Sequence, residues 1–255
     1  MNNNKQIKVH PDLATIKSFI SALGKKEKPR FRAFPHKDTP KELREKLRPK
    51  KLSNRFLDIR DAQREGLNIY LVVNDGGDKD KDIKRCVAYF VEFDGISEEE
   101  QQRKIRESGL PEPTIIIRTG GGSLHYYWVL LTPLEDIDLW KDDQKRLIAH
   151  LGSDPAIFNP SRVMRLAGCL YINGNQEPIA QTEIIHRSDQ KHTREALLKS
   201  IPDLPRTYRK KVAYEKGSNQ CLETDHPCDT CGRPPDPISK KCVVSKNKEL
   251  IYCHH

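Results

Sequence analysis

The sequence predicts an α+β fold on a mixed, partly antiparallel sheet, with a small metal-held module in its last 35 residues. Three observations carry that expectation. Apolar and aromatic runs such as CVAYFVEFD (86–94) and SLHYYWVLL (123–131) have the composition of buried strands. Amphipathic stretches with caps lie between such runs, and the two kinds mix without the strict alternation of βαβ units. Five of the seven cysteines fall in residues 221–255. In a chain whose N-terminus MNNNKQIKVH lacks an apolar leader, that clustering argues for a metal and against disulfides.

The elements follow in order. PDLATIKSFISAL (11–23) places Leu13, Ile16, Ile20 and Leu23 at helical spacing. A basic, proline-containing stretch follows, in which TPKELREKL is a short helix started by Thr39 and Pro40. NIYLVVN (68–74) is a strand, DGGDKDKDIK an exposed loop or turn, and residues 86–94 a second, strongly apolar strand. Residues 97–109 form a helix capped by Ser97, with Glu100 three residues on, and stopped by Gly109. TIIIRT and SLHYYWVLL are strands on either side of Gly120–Gly122. Residues 134–152 are an amphipathic helix ending at Gly152. DPAIFNPSRVMRLAGCLYINGN is irregular, with a short strand at Cys169–Ile172; TEIIHR is a strand and TREALLKSI a short helix. Cys86 and Cys169 stand in apolar contexts and read as core residues. The expected organisation is a domain over 1–201, a basic linker over 202–220 and a zinc-binding module over 221–255.

Charge narrows the function classes. The net charge is +9 and the pI about 9.1, but residues 1–60 hold 17 Lys/Arg against 6 Asp/Glu, so the remainder is slightly acidic. A concentrated basic segment beside an acidic middle suits a protein that grips a polyanion while its carboxylates hold metal. No run of 18 apolar residues exists, which points to a cytoplasmic protein without a membrane span.

Three short constellations carry chemistry. In YFVEFD, Glu92 and Asp94 stand at i and i+2, on one face of a strand otherwise lined by Phe90, Val91 and Phe93. Two adjacent carboxylates repel, and hard divalent cations such as Mg²⁺ or Mn²⁺ relieve that cost. Alone, the pair also reads as a strand reaching solvent. In RTGGGSLHYYWVLL, Ser123, His125 and Tyr127 share one face and Leu124, Tyr126 and Trp128 the other. Gly121 and Gly122 permit close approach of a phosphate, and Arg118 can add a charge-assisted contact. Alone, this is a hairpin turn and a core strand. In DPAIFNPSRVMRLAG, Asp154 can complete a metal cluster, and Arg162 and Arg165 can clamp phosphates or a template backbone.

In this order and separation the three elements resemble the archaeo-eukaryotic primase (AEP) superfamily, in its plasmid- and phage-type primase-polymerase branch, which includes RepB-like primases. VEFDG matches the family's paired acids, Ser123-Leu124-His125 its Ser-x-His strand, and Asp154 with SRVMRLAG its third motif. REGLNIYLVVNDGG resembles the strand that precedes the first motif, and the likeness spans roughly residues 10–190. The resemblance implies an AEP/RRM-like core that acts as a template-dependent DNA primase/polymerase. Such a nucleotidyltransferase makes or extends primers on single-stranded DNA by two-metal phosphoryl transfer, in plasmid, phage or mobile-element replication. Glu92, Asp94 and Asp154 would hold Mg²⁺ or Mn²⁺. His125 would hold the phosphates of the incoming NTP or dNTP, with Ser123 and Arg165 beside it. A replicative helicase domain or protein is compatible with this reading as a partner. Two positions depart from the pattern: Glu92 stands where Asp is commoner, and RLAG replaces RLPG. The alternative reading is a non-catalytic replication initiator or nucleic-acid-binding module with a zinc tail.

In that tail, Cys228 and Cys231 form a Cys-x2-Cys pair, followed by Cys242 and Cys253, a set of four thiolates suited to structural Zn²⁺. His254 or His255 can replace Cys253, and Cys221 or His226 can supply another ligand. With few apolar residues, this segment depends on metal to fold.

Overall fold

A computed structural model describes residues 10–202 and the backbone of two short segments, 242–244 and 251–253. The chain divides into two compact units, Met1–Leu204 and Pro205–His255.

The first unit runs α1 (Leu13–Ala22), β1 (Phe31–Phe34), α2 (Lys41–Lys46), β2 (Lys50–Leu52), α3 (Phe56–Arg64), β3 (Asn68–Val72), β4 (Asp75–Gly76) and β5 (Ile83–Glu92). It continues with α4 (Glu98–Glu107), β6 (Ile115–Arg118), β7 (Leu124–Leu134), α5 (Ile137–Leu151) and β8 (Val163–Arg165). β9 (Leu170–Ile172), β10 (Pro178–Gln181), β11 (Glu183–Arg187) and α6 (Arg194–Leu198) complete it. In the second unit, β12 (Cys242–Val244) and β13 (Ile251–Cys253) pair antiparallel, with Cys242 opposite Cys253. Cys221, Cys228 and Cys231 lie outside the described residues.

Two sheets organise the first unit: β2-β1-β3-β8 and β11-β6-β7-β5-β4, with β9 and β10 as a separate pair. Every pairing of named strands is antiparallel, and the parallel contact is an isolated bridge between Leu130 and His192. The expected mixed sheet is corrected here for a topological reason. β5, α4 and β6 do form a crossover between strands of like direction, but β7 inserts between β5 and β6 and pairs with both. This is a split βαβ arrangement, in which the like-directed strands never become neighbours.

β5 and β7 are buried on both faces, as their continuous apolar runs require. On one face Phe19 of α1 meets Tyr127 edge-on at 5.4 Å, and Tyr127 lies 6.2 Å from Phe90. On the other, Phe93 meets Tyr126 at 6.0 Å, with Lys104 of α4 over the Phe93 ring. Cys86 and Cys169 are buried.

Local signals set the helix ends. Ser97 caps α4 by accepting the Glu100 N–H, and Asp136 caps α5 by accepting that of Leu139. Gly152 closes α5 in the left-handed conformation. α5 begins after residue 134 because β7 continues through Thr132–Leu134. The supposed loop at DGG opens instead with β4, where Asp75 is buried because Lys25 and Arg85 meet its charge. Local periodicity does not reveal β1, β2, α3, β8 or β10; all but α3 are strands of three or four residues, too short to show it. Among the described residues, no helix is long and apolar enough to cross a membrane.

Candidate active site

The site begins with strand register. β5 and β7 pair so that Glu92 lies directly opposite His125. Opposed residues of an antiparallel pair share a face with Cβ atoms about 5 Å apart. The imidazole Nε2 therefore reaches the Glu92 carboxylate at 2.7 Å, while Tyr127 Oη lies 3.3 Å from Nδ1. His125 is buried, whereas the Glu92 side chain keeps 26% of its surface exposed. Burial pushes the Glu92 carboxyl upward, but the hydrogen bond and charge of His125, with Arg162 and Arg165 nearby, hold it below the ordinary value.

The helix α5 then places the third acid. Beyond β4, the outer edge of β5 has no strand partner among the described residues, and side chains take that role. Trp140 Nε1 donates to Ala88 O at 3.1 Å, and Gln144 Nε2 donates to Phe90 O at 2.5 Å. Gln144 Oε1 accepts the Phe90 N–H, and the Asp154 N–H donates to Glu92 O at 3.0 Å. The carbonyls at 88, 90 and 92 all point to this edge, so the helix and the turn after it act as a ruler that ends with Asp154 beside Glu92. Gln144 Nε2 also donates to Ile157 O, fixing the turn from its far side.

Asp94, two residues past Glu92, is exposed and makes no hydrogen bond or ion pair among the described residues. Asp154 Oδ1 accepts the Ala156 N–H. The donor chemistry of these three acids fits Mg²⁺ or Mn²⁺, being hard carboxylate oxygens gathered at one strand end. They do not form a ready-made ligand set: among the described residues, no three Asp, Glu, His or Cys side chains stand in a metal-holding group. Glu92 is turned to His125.

The arginines arrive from the other sheet. Arg165, on β8, donates to Asn68 Oδ1 at 2.7 Å and lies over the rings of Tyr70 and Tyr171. Arg162 Nε is buried without a hydrogen-bond partner among the described residues. Neither arginine has a carboxylate within ion-pairing distance among the described residues, although both act electrostatically on Glu92. Two guanidinium groups held near a carboxylate without an ion-pair partner among the described residues have the chemistry to bind an anion.

Two expectations change. Arg118 is opposite Leu124, one residue out of step with His125, and so faces the other side of the sheet. There its Nε donates to both oxygens of Glu98, at 2.9 and 3.0 Å. It does not share the face of His125 and Glu92. The glycine turn also has another reason. A Cβ at Gly120 would sit 2.7 Å from Ala180 Cβ, and one at Gly121 would sit 3.1 Å from Tyr171 Cζ and Oη. These two glycines make room for a tyrosine ring, while Gly122 meets nothing within 4 Å and is required by its φ of +90°. Ser123 precedes β7, and its carbonyl accepts from the Thr119 N–H and Oγ1 to close the turn.

Sequence reasoning missed Gln144 and Gln101. Gln101 of α4 donates to Gly122 O and accepts the Leu124 N–H, clamping the glycine turn. Each is an uncharged polar residue in the buried stripe of its helix, Gln144 four after Trp140 and Gln101 four before Ile105. That mismatch with an apolar stripe is the signal that finds them.

No family model and no curated protein matches the chain. Solved structures do. The chain is similar to the AEP domain of the primase-polymerase of cyanophage S-2L, with 33% identity and a TM-score of 0.67 over 76% of this chain and 100% of that domain. It is similar in fold to the catalytic domain of primase RepB′, determined in complex with initiator DNA, with 13% identity and a TM-score of 0.50. That likeness covers 73% of this chain and 92% of that one.

Proposed function

We propose, because the chain belongs to the archaeo-eukaryotic primase superfamily, that it is a primase-polymerase, a nucleotidyltransferase that makes or extends primers on a single-stranded DNA template. The observation that carries this reading is the Glu92–His125 register pair, to which the Asp154 backbone is bonded and on which Arg162 and Arg165, without an ion-pair partner among the described residues, act electrostatically. Asp94, Asp154 and Glu92 would hold Mg²⁺ or Mn²⁺. When bound there, the cations supply Lewis acidity that favours an attacking 3′-hydroxyl and a leaving pyrophosphate.

The chain's own residues supply the rest. Arg162 and Arg165 bring positive charge to the triphosphate of an NTP or dNTP, and His125 offers an imidazole N–H from a buried position. Glu92 orients that ring through Nε2 and can release it when a phosphate oxygen competes. Ser123, at the mouth of the turn, has a hydroxyl with no hydrogen bond among the described residues. Catalysis then rests on positioning and on charge held ready for the transition state. The exposed basic residues of 1–60 and those of the run at 206–211 would bind template phosphates, so affinity falls as salt rises. A replication role in a plasmid, phage or mobile element accords with this activity, with a helicase domain or protein as an associated partner.

The second unit is proposed to carry structural Zn²⁺ on Cys228, Cys231, Cys242 and Cys253. The register that sets Cys242 opposite Cys253 supports this by bringing two of the four to adjacent backbone positions. Loss of about one Zn²⁺ per chain on replacing Cys228 and Cys231 by Ser is the expected result, and unchanged zinc content rejects it.

The deciding assay is primer synthesis and extension on single-stranded DNA with Mg²⁺ or Mn²⁺. Incorporation of labelled nucleotide that disappears in Asp94→Ala supports the reading. Firm template binding with no incorporation under any metal or nucleotide favours a non-catalytic binding module.

A further inference from the structure

One aromatic side chain touches both halves of the proposed phosphate site. Tyr171 stands on β9, whose second edge is held by two amide side chains where a neighbouring strand would be. Gln63 Nε2 donates to Leu170 O at 2.8 Å and its Oε1 accepts the Leu170 N–H at 3.0 Å. Asn68 repeats the pattern on Ile172, donating at 2.8 Å and accepting at 3.0 Å. Both amides are buried. Tyr171, between the two clamped residues, is thereby held in register along its backbone.

Its side chain is fixed from three directions. The guanidinium of Arg165 lies 4.6 Å from the Tyr171 ring centre and 5.0 Å from that of Tyr70. Asn68, which clamps Ile172, also accepts from Arg165 at 2.7 Å. The Tyr171 hydroxyl lies 2.9 Å from His36 Nε2. The ring borders the glycine turn closely enough that a Cβ at Gly121 would be 3.1 Å from Cζ. That turn leads directly into Ser123 and His125.

A guanidinium held by two aromatic rings presents its edge, and edge-on N–H groups are the ones that match phosphate oxygens. We propose that Tyr171 is a positioning residue that locks Arg165 and the glycine turn into one arrangement and thereby sets affinity for the phosphates of a nucleoside triphosphate. The proposal rests on the primase-polymerase reading and adds to it a residue outside the three motifs. Tyr171 touches Arg165 and the turn, not the reacting atoms, so it governs nucleotide affinity more than turnover.

The test uses the full chain and two readouts: equilibrium binding of a fluorescent dNTP with Mg²⁺, and steady-state extension of a primed template. Tyr171→Leu is expected to raise both Kd and KM about tenfold, the scale of one desolvated cation–π contact, with kcat changed less than about threefold. Tyr171→Phe, which keeps the ring and loses only the His36 contact, restores affinity to within about threefold of the native value. Gly121→Ala weakens affinity in the native chain by crowding Tyr171, and in a Tyr171→Leu background adds little, because the atoms it crowds are gone.

Native nucleotide affinity in a folded Tyr171→Leu chain overturns the proposal, as does a loss confined to kcat. If Tyr171→Leu does not fold, the Tyr171→Phe and Gly121→Ala chains decide: native affinity in Gly121→Ala, or a Tyr171→Phe defect as large as that of Arg165→Ala, rejects it. If the native chain binds no nucleoside triphosphate, the primase-polymerase reading fails together with this inference. If it binds and the variants bind equally, only the role of Tyr171 fails.

Discussion

The strand β5 carries a charged cluster near each end, separated by about 23 Å, and the two clusters differ in how completely they are satisfied. At the start, Lys25 Nζ donates to the carbonyls of Val72, Val73 and Asn74 and lies 3.1 Å from Asp75 Oδ1. Asp75 Oδ2 accepts from the Lys26 N–H and from Nε and Nη2 of Arg85. Every charge there has an opposite charge against it. At the far end, Glu92 has His125, but Arg162 and Arg165 lack ion-pair partners and Asp94 has no partner at all among the described residues. Burial of charge is common to both ends. Cations without an ion-pair partner among the described residues mark only the far end, and that separates a structural clasp from a candidate anion site.

The sharpest break of this comparison comes at Asp94. Asp94→Ala is expected to abolish nucleotide incorporation while shifting stability in urea unfolding by no more than about 0.5 kcal/mol, because the side chain is exposed and unbonded. A large loss of stability in that variant would erase the contrast between the two ends.

Asp75→Asn is the mirror experiment. It leaves Lys25 and Arg85 without their carboxylate and is expected to cost about 3–5 kcal/mol in urea unfolding, with activity per folded molecule retained. The pH dependence has a definite sign. Burial pushes the Asp75 carboxyl up, but Arg85, Lys25 and the Lys26 N–H outweigh it and hold it below the usual range. A depressed folded value means stability is present above the ordinary carboxylate range and lost as pH falls through the lowered one. The Asp75→Asn chain should show a shallower loss of stability in acid than the native protein, and equal slopes would remove Asp75 from that role.

A smaller effect is expected at Gln144, which ties the middle of β5 to the turn bearing Asp154. Gln144→Leu fills the space but leaves the Phe90 N–H and the carbonyls of Phe90 and Ile157 unmet, at a cost of about 1–3 kcal/mol. Primer extension should lose kcat more than nucleotide affinity, since the displaced group is an acid. Arg118→Ala should do least. Its bond to Glu98 is partly exposed and worth about 1 kcal/mol at most, and nucleotide affinity should stay native. A marked affinity loss there would return Arg118 to the phosphate site.

Part of the candidate site's placement is legible in the amino-acid sequence, and the places where that reading departs from the structure are informative. Glu92 and His125 can be placed on strand faces because alternation along a strand is a local property, whereas Asp94 and Ser123, expected on those same faces, lie just beyond the ends of β5 and β7. Arg118 misleads for the same reason: its position beside the glycines is local, but its face depends on pairing with Leu124. The run of glycines signals a close approach, yet what approaches Gly120 and Gly121 is Tyr171, some fifty residues onward.

By itself, then, the sequence determined the helices with clear caps, the long apolar strands and the residue types at their ends, all of which follow from neighbours a few positions apart. Only the tertiary structure decided that β7 separates β5 from β6, that α5 measures out the position of Asp154, and that Arg165 lies between two tyrosines. Those outcomes rest on contacts between residues tens of positions apart, and register, edge coverage and ring stacking have no signature in a single stretch of chain. The amides show the boundary most plainly. Gln101 and Gln144 show in the sequence only as breaks in an apolar stripe and Gln63 and Asn68 not even that, and each becomes a clamp because folding buries it against backbone groups that need a partner.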